Sequence, residues 1–454
     1  MSPVSSVYSN RGVLVYQGDC IDIIQTMPSE FISAIVTDPP YSYRFMGRKW
    51  DAHDSPLAFQ QWCEQWAREC LRVLKPGGHL LAFGGTRTFH RLTCGVEDAG
   101  FRVRDSIDST VHHVSWIYGQ GMPKGINIGK AIDKMAGAER EVVGVDPDRA
   151  ARLVNQTGAY VTDSGWSAGN RSADVTAPAT DEPRQWEGWN TQLRPAHEPI
   201  VVARKPFPGT VAGNVLAHGT GAINVDACRV AAADGDYARP GNENRKHTDT
   251  AYGYCEHEGR QAFPHSGGRW PPNVVLSHVP SVDPATGEVV GDACAQGCVD
   301  GCPVRELDQQ SGERPSGRPQ NRFTKGDKFG GSTYGSGMDQ CLGWAKSPGY
   351  VDSGGASRFF PCFRFEAKAP TAERPRVAGE SHNTVKPLAL MRWLLRLVTP
   401  PGGIVLDCFA GSGATGEAAC IEGFPVVLID SDPISLALTK TRLESHFDKS
   451  KSRR

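Results

Sequence analysis

Short apolar segments alternate along the first 118 residues with segments whose apolar positions recur at helical spacing. The apolar runs at 13–17, 31–37 and 79–83 end at Gly or Asp, which predicts buried strands. From 56 to 74, apolar residues recur every three or four positions, which predicts a helix with one buried face. A second alternation spans 388–429. Strands that alternate with helices predict an α/β fold on a doubly wound, mostly parallel sheet.

The remaining predicted elements of the two alternations are a helix at 21–27, a helix at 89–99, a strand pattern at 101–118, a helix at 388–398, a strand at 404–407, a helix at 417–422 and a strand at 425–429. Residues 120–355 break the pattern, because they are rich in Gly, Pro, Asn, Asp and Ser. Short strand-like islands interrupt this region at 199–203 and 273–277. So large an irregular region inside an α/β chain is typical of recognition rather than of scaffold.

Composition narrows the class of protein only a little. The 454 residues carry a formal net charge of −1, which argues against a uniformly basic surface for nucleic acid but leaves local patches open. No apolar run approaches the length of a membrane span, and the N-terminus lacks the pattern of a signal peptide, so we expect a cytoplasmic protein. Thirteen cysteines, an odd number, fit reduced thiols or metal ligands better than a disulfide framework.

The first candidate for chemistry is Asp38-Pro39-Pro40-Tyr41, directly after the predicted strand at 31–37. Proline neither donates to a strand ladder nor continues a helix, so the strand must end there. An acid and an aromatic side chain are thereby fixed at the carboxyl end of a buried strand. Open α/β sheets bind their ligands at that edge.

The second candidate is a glycine-rich turn, which follows the predicted strand that ends at Asp407. A glycine loop between strand and helix lets a ligand approach the backbone closely, and Asp430, at the end of the next strand, can accept from ribose hydroxyls. The spacing favours an adenosine-type ligand. Because Gly411, Gly413 and Gly416 also fit the dinucleotide pattern, the glycines alone do not exclude a nicotinamide enzyme.

Taken together, the motifs resemble the DNA amino-methyltransferases that methylate adenine N6 or cytosine N4 with S-adenosyl-L-methionine. Residues 38–41 match the catalytic motif of that family, 406–415 its cofactor loop and 382–387 the segment before this loop. With the catalytic motif first and the cofactor motif last, the order is similar to the permuted β group. Likeness to phage and prophage members is carried by residues 45–51, 125–133, 186–189 and 195–199.

The resemblance implies a Rossmann-like methyltransferase sheet with a large target-recognition insert, and it implies roles for individual residues. The implied catalytic residues are Asp38, Pro39, Pro40 and Tyr41. The implied residues for S-adenosyl-L-methionine are Asp19, Thr384, Lys386, Pro387, Asp407, Phe409, Gly411, Gly413, Thr415 and Asp430. For Asp19 the alternative is a simple turn acid, and Lys386-Pro387 also fits a helix start.

The implied activity is methylation of the exocyclic amine of a flipped base in double-stranded DNA. The acid of the 38–41 motif favours adenine N6 by family resemblance, with cytosine N4 as the alternative. Two further hypotheses are the methylation of an RNA base and a DNA-binding protein with a degenerate cofactor site. A homodimer is compatible with this interpretation. The sequence has no apolar run of membrane-spanning length and no apparent nuclease-type cluster, so we expect neither a membrane partner nor an obligatory nuclease subunit.

Four segments follow from this interpretation. Residues 1–119 form the catalytic half of the methyltransferase domain, 120–206 a loop-rich excursion that returns to the sheet, 207–355 the target-recognition insert, and 356–454 the cofactor-binding half.

A metal site is the remaining question from the sequence. Cys294, Cys298 and Cys302 recur every fourth residue, and His278 upstream could complete four zinc ligands. Three cysteines in a loop-rich segment are equally compatible with unligated thiols, so no metal is assigned to the predicted site.

Overall fold

The computed structural model describes residues 6–44, 49–103, 113–118, 125–147, 173–193, 195–230, 237–238, 264–265, 268–278, 281–282, 289–290, 298, 302–315, 353–364 and 385–452. Among these residues, no helix is both long enough and apolar enough to cross a membrane.

Nineteen strands are found in the described residues: β1 (Tyr8–Asn10), β2 (Val13–Gln17), β3 (Ile32–Thr37), β4 (Leu74–Phe83), β5 (Arg102–Val103), β6 (His113–Ile117), β7 (Val142–Val145), β8 (Asp174–Thr176), β9 (His197–Arg204), β10 (Tyr237–Ala238), β11 (Pro264–His265), β12 (Val274–His278), β13 (Ser281–Val282), β14 (Val289–Val290), β15 (Arg314–Pro315), β16 (Ser353–Gly354), β17 (Cys362–Arg364), β18 (Val405–Asp407) and β19 (Val426–Asp430).

The α-helices of the same residues are α1 (Cys20–Gln25), α2 (Pro56–Val73), α3 (Phe89–Asp98), α4 (Ile128–Met135), α5 (Asp181–Gln185), α6 (Val211–His218), α7 (Pro303–Ser311), α8 (Leu388–Val398), α9 (Ala414–Glu422) and α10 (Pro433–Ser452). Three short 3-10 helices lie at Lys49–Asp51, Asp226–Cys228 and Ala356–Phe359.

Eleven strands form one sheet, in the order β1, β2, β19, β18, β3, β4, β9, β6, β12, β17, with β5 beside β9. The strands from β2 through β4 are parallel neighbours. β9 runs antiparallel to both β4 and β6, whereas β6, β12 and β17 are again parallel. The expected α/β fold with a mostly parallel sheet is therefore confirmed.

Helices cover both faces of this sheet, as a doubly wound fold requires. On one face α1, α2 and α3 bury apolar side chains such as Ile24, Trp66 and Leu92. On the other face α8, α9 and α10 bury side chains such as Leu394 and Leu443. Helices of both faces pack on the central strands, whose alternate residues point to opposite sides. The central strands are consequently buried on both faces, which explains their almost continuous apolar sequence.

Several element bounds differ from the sequence prediction for identifiable reasons. β4 begins at Leu74, five residues before the predicted strand, because Leu74 pairs with Ile32 and the pairing then shifts across a bulge to resume at His79. α9 begins at Ala414 rather than at 417. The residue before it, Gly413, has a left-handed conformation and is the N-cap of the helix. The islands predicted at 199–203 and 273–277 are confirmed as β9 and β12.

Candidate active site

The carboxyl edge of the sheet collects the acids that the sequence singles out. β3 ends directly before Asp38, and β18 and β19 end with Asp407 and Asp430. These strands are parallel neighbours, so their carboxyl ends lie at one edge. β9 runs in the opposite direction, and its first residues, which include Glu198, therefore reach the same edge.

Asp38, Tyr41, Glu198 and Lys386 form one hydrogen-bonded group at this edge, here called the carboxylate-lysine cluster. The Nζ atom of Lys386 lies 3.1 Å from Oδ2 of Asp38 and 2.9 Å from Oε2 of Glu198. Lys386 also donates to Oη of Tyr41 at 3.0 Å. The Tyr41 hydroxyl in turn donates to Oδ1 of Asp38 at 2.7 Å. The predicted catalytic motif and the segment upstream of the glycine loop therefore meet in one place.

Lys386 is held in this cluster by charge and by aromatic rings. Its side chain is only 10% exposed. Burial disfavours the ammonium, but Asp38 and Glu198 outweigh that effect and hold the pKa of Lys386 above its ordinary 10.5. The Nζ atom lies 4.7 Å from the ring centroid of Phe83 and 5.8 Å from that of Trp116, which are cation-π distances. Lys386 is consequently a fixed positive charge between two carboxylates.

Tyr41 is protonated at neutral pH. Burial, followed by the charges of Asp38 and Glu198, raises the pKa of the Tyr41 hydroxyl well above its ordinary 10. The hydroxyl can therefore act as a donor to Asp38. The backbone at this position is also held, because Oγ1 of Thr88 donates to the Tyr41 carbonyl at 2.7 Å.

The turn after β3 packs closely against the end of β4. Residues 39–40 follow the strand directly and are buried and half-buried, respectively. A Cβ atom on Gly85 would lie 2.3 Å from Oη of Tyr43 and 3.0 Å from Cδ2 of Tyr41. A side chain at this position would therefore displace the ring of Tyr43 and press on that of Tyr41.

Asp407 connects β3 to the glycine loop. Its buried carboxylate accepts from Oγ1 of Thr37 at 2.6 Å, from the Phe409 amide at 3.1 Å and from the Thr415 hydroxyl. Burial nevertheless raises the pKa of Asp407 from the ordinary 3.8 to about 6, because these hydrogen bonds offset only part of the desolvation. Thr37 immediately precedes Asp38, so β3 contacts both parts of the site.

The glycine loop presents its backbone in a conformation that other residues rarely adopt. Gly411 and Gly413 have φ angles of +53° and +79°. The Gly411 amide donates to Oδ2 of Asp430 at 2.7 Å, and Oγ1 of Thr439 donates to the Gly411 carbonyl at 2.9 Å. A Cβ atom on Gly413 would approach Cγ2 of Thr439 to 2.9 Å. The loop is therefore fixed between Asp430 and α10.

Phe409 is supported by the tryptophans of α2. Its ring centroid lies 5.5 Å from that of Trp62 and 5.6 Å from that of Trp66. Trp66 is fully buried, and Trp62 packs against the same core. The periodicity of α2 predicts a buried face for both tryptophans, which the structure confirms, and that face also positions a residue of the glycine loop.

The other predicted cofactor residues have structural contacts of their own. Asp19 is exposed and caps α1, since its carboxylate accepts from the Ile21 amide at 2.8 Å. Its neighbour Gly18 donates to the Asp430 carbonyl at 3.1 Å, so Asp19 lies at the same sheet edge. Pro387 caps α8, in agreement with the helix-start interpretation. Thr384 lies outside the described residues.

Sequence reasoning assigned no role to Glu198, Phe83 or Trp116, which complete the surroundings of Lys386. Phe83 ends a predicted strand, but an apolar residue at a strand end gives no functional signal. Glu198 lies within the segment 195–199 that carries the family resemblance. Its position becomes clear only when β9 is known to run antiparallel, a direction that no local pattern indicates.

The cysteine-rich segment forms no metal centre in the part of the chain that the structure describes. No group of three or more His, Cys, Asp or Glu side chains there is arranged to hold a metal ion. His278 and Cys298 are adjacent, with 3.6 Å between Nδ1 and Sγ, and Cys302 is buried nearby in the same small apolar core. Cys294 lies outside the described residues.

Comparison with known proteins decides which family this site belongs to. The family model of the N6_N4_Mtase DNA methylases matches residues 32–439, from β3 into α10. The chain belongs to this DNA methylase family.

Curated relatives of this methylase include type II methyltransferases. M.HinfI of Haemophilus influenzae is 26% identical over 107 residues, which cover 20% of this chain and 30% of the relative. M.HindIII, also of Haemophilus influenzae, is 24% identical over 247 residues, which cover 46% of this chain and 64% of the relative. M.BamHI of Bacillus amyloliquefaciens is 34% identical over 80 residues, 17% of this chain and 18% of the relative. The chain thus matches less than two thirds of each relative's length.

Solved structures similar to this methylase were also found. The PvuII DNA methyltransferase, described as cytosine-N4-specific, covers 98% of this chain and 93% of its own with 12% identity and a TM-score of 0.42. The M1.HpyAVI-SAM complex covers 95% of this chain and 98% of its own with 14% identity and a TM-score of 0.36.

The glycine loop of this chain suits the methyl donor of the family, S-adenosyl-L-methionine. At Gly411, which is half-buried and left-handed, no side chain covers the backbone, whereas Gly413 is buried against Thr439. Asp430 is half-buried at its side. A close backbone surface beside an acid fits the methionine and ribose parts of such a molecule.

Proposed function

We propose that this chain is a site-specific DNA methyltransferase that transfers a methyl group to the exocyclic amine of a base flipped out of double-stranded DNA, with adenine N6 as the favoured target. The proposal rests on the hydrogen bonds of two consecutive residues at the end of β3. Thr37 donates to Asp407 of the glycine loop at 2.6 Å, and the next residue, Asp38, belongs to the carboxylate-lysine cluster. A methyl donor bound at the glycine loop and an amine bound at Asp38 would therefore lie next to each other.

The proposed chemistry begins with the amine of the base, a poor nucleophile because its lone pair is delocalised into the ring. Asp38 can accept one N–H of the amine, and the carbonyl of Pro39 can accept the other. A carboxylate has about four lone-pair positions, and the described contacts of Asp38 are those with Tyr41 and Lys386. These hydrogen bonds strengthen as positive charge develops on nitrogen, so they favour the transition state over the ground state.

When bound, S-adenosyl-L-methionine supplies an electrophilic methyl group on its sulfonium. Tyr41 would stack on the flipped base, which must leave the duplex for its amine to reach that methyl. Lys386 orients the Asp38 carboxylate through their 3.1 Å contact. Holding the amine and the methyl group at near-attack distance supplies much of the remaining acceleration. The proton of the methylated amine passes to Asp38 or to water.

The choice of adenine rests on the acid of the 38–41 motif. Asp38 with Pro39, Pro40 and Tyr41 resembles the adenine-directed form of the family motif, although the same residue types can hold the amine of cytosine. Mass spectrometry of digested DNA from cells that express the protein identifies the product. We expect N6-methyladenine; N4-methylcytosine without N6-methyladenine would overturn the adenine assignment. If the protein methylated RNA in preference to duplex DNA, RNA would replace DNA as the assigned substrate.

Substitution of the acid tests the mechanism. Asp38→Ala removes the acceptor of the amine, so we expect methyl transfer to fall by about 100- to 1,000-fold, as removal of a transition-state hydrogen bond typically does. Affinity for S-adenosylhomocysteine should stay within about threefold, because Asp38 lies outside the glycine loop. Asp181→Ala, which removes an exposed carboxylate on α5, is the control and should retain full activity. An Asp38→Ala protein with wild-type turnover would refute the mechanism.

A further inference from the structure

Glu198 is a carboxylate at the site with no role in the mechanism above. It is the second residue of β9, and its side chain is 21% exposed. Its hydrogen-bonding partners in the described structure both belong to the site: Lys386 Nζ at 2.9 Å and Tyr41 Oη at 3.4 Å. A carboxylate whose side-chain contacts all lead to the reacting centre differs from an ordinary surface acid.

The charges of the cluster show what Glu198 changes. Lys386 carries one positive charge, and Asp38 and Glu198 each carry one negative charge, so the cluster has a net charge of −1. Lys386 lies almost equally far from its two carboxylates, at 3.1 and 2.9 Å. Without Glu198, Lys386 would form a neutral pair with Asp38. The ammonium would then oppose any positive charge that develops beside Asp38.

The proposed reaction creates such a charge. The amine nitrogen gives its lone pair to a new N–C bond, while the S–C bond breaks and its electron pair goes to sulfur. The nitrogen carries a positive charge until it releases a proton to Asp38 or water. Partly buried charges interact strongly because solvent screens them little. A net negative cluster therefore favours the transition state, and a neutral one does not.

We propose that Glu198 is a positioning residue that shares the ammonium of Lys386, so that Asp38 keeps its negative charge available to the amine. The inference rests on the proposed methyl transfer and adds to it a second carboxylate, which acts through Lys386. It also gives a role to the acid near the start of β9, the reversed strand, at the carboxyl edge. Glu198 itself does not touch the base.

Two substitutions of Glu198, one that removes its charge and one that keeps it, test this role. Glu198→Gln keeps the shape of the side chain and removes its charge; we expect the single-turnover rate of methyl transfer to fall about 100-fold. Unmethylated genomic DNA of mixed sequence, with enzyme in excess over target sites and saturating cofactor, serves as acceptor. Glu198→Asp keeps the charge and should remain within about tenfold of the wild type. Affinities for S-adenosylhomocysteine and for DNA should change by less than about threefold in both variants.

The double variant Glu198→Gln/Lys386→Met gives the sharper result. It removes one negative and one positive charge, so Asp38 alone restores the net charge of −1. Because Lys386 also orients Asp38, the double variant is compared with Lys386→Met alone at saturating cofactor. We expect Glu198→Gln to cost less than about threefold in that background, against about 100-fold in the wild type. A Glu198 that merely anchors the fold would cost a similar factor in both backgrounds.

Glu422→Gln is the matched control. Glu422 is a carboxylate with 12% exposure that is likewise paired with positive charge, here Arg392 and Arg396, but it is the last residue of α9, whose first residue follows the glycine loop. We expect lower stability and an unchanged rate.

Three results would overturn the inference. They are a wild-type rate in Glu198→Gln, a loss of rate that is explained by weaker cofactor binding or a lower urea midpoint, and an equal effect of Glu198→Gln in the wild-type and Lys386→Met backgrounds. If neither the wild-type protein nor Glu422→Gln transfers methyl to DNA, the proposed function itself fails, and the inference with it.

Discussion

Asp407 shows how far burial and hydrogen bonding can act in opposition on one residue. Three donors converge on its carboxylate, yet burial raises the pKa of Asp407 to about 6. A carboxyl group whose pKa is higher in the folded than in the unfolded chain binds its proton more tightly when folded. Its ionisation therefore costs folding stability. The cost is absent below the ordinary pKa of 3.8 and is complete above about pH 6.

Asp407→Asn removes this ionisation and should make the free energy of unfolding depend less on pH. Between pH 4 and pH 7 we expect the wild-type protein to lose about 2 kcal/mol of unfolding free energy relative to Asp407→Asn, from the two pKa values and the linkage relation. Urea unfolding at several pH values measures the difference. Asp181→Asn, at an exposed position, is the control and should follow the wild-type profile. A difference that grows in the opposite direction would show that hydrogen bonding dominates burial at Asp407.

At the scale of elements, the glycine loop and α10 constrain each other. Gly413 has a left-handed φ of +79°, and a Cβ atom there would lie 2.9 Å from Thr439, whose hydroxyl holds the Gly411 carbonyl. Gly413→Ala should therefore strain the backbone and displace Thr439. We expect it to lower stability by about 2 to 4 kcal/mol and to weaken S-adenosylhomocysteine binding at least about tenfold. Urea unfolding and titration calorimetry measure the two effects.

Gly423 provides the matched control for this prediction. It has the same φ of +79° at the other end of α9, but a Cβ atom there would meet nothing within 4 Å. Gly423→Ala should cost only the backbone strain, about 1 to 2 kcal/mol, and leave cofactor affinity unchanged. If both variants weaken binding equally, the effect comes from α9 as a whole and not from the contact with Thr439.

The elements that sequence predicts well are those with strong local patterns. β3 and α2 lie where apolar runs and helical spacing predict them, and Asp38 and Tyr41 stand out because a strand ends at two prolines. The glycine loop is recognisable because its residue type is tied to its backbone conformation. Local patterns of this kind suffice for the parallel centre of the sheet and for the acids at its edge.

The parts that sequence does not predict depend on long-range pairing. The reversed direction of β9 is set by its pairing with β4 and β6, which are distant in sequence. Glu198 reaches the site only through that reversal. In the same way, the early start of β4 depends on pairing between Leu74 and Ile32 across a bulge. Neither feature has a signature within its own segment.

At the scale of the whole molecule, the two ends of the chain interleave in one sheet. β18 and β19, from the last fifth of the chain, lie between β2 and β3, from its first tenth. The core on one face likewise combines Val13 and Val36 with Leu394 and Leu428. Removal of the C-terminal strands would leave two unpaired edges in the middle of the sheet. The described N-terminal and C-terminal strands of this sheet therefore belong to one folding unit.

Unfolding should accordingly be cooperative across both ends of the chain. We expect the far-UV circular dichroism and the tryptophan fluorescence, which includes Trp62 and Trp66 beside Phe409, to report one urea midpoint for this sheet. S-adenosylhomocysteine at 100 times its dissociation constant should stabilise the protein by about 2.7 kcal/mol and shift both signals together, since the glycine loop and β3 unfold in the same step. Gly413→Ala at the same ligand concentration should shift less. If the ligand moved a fluorescence transition and left a separate dichroism transition in place, the interleaved strands would not form one cooperative unit.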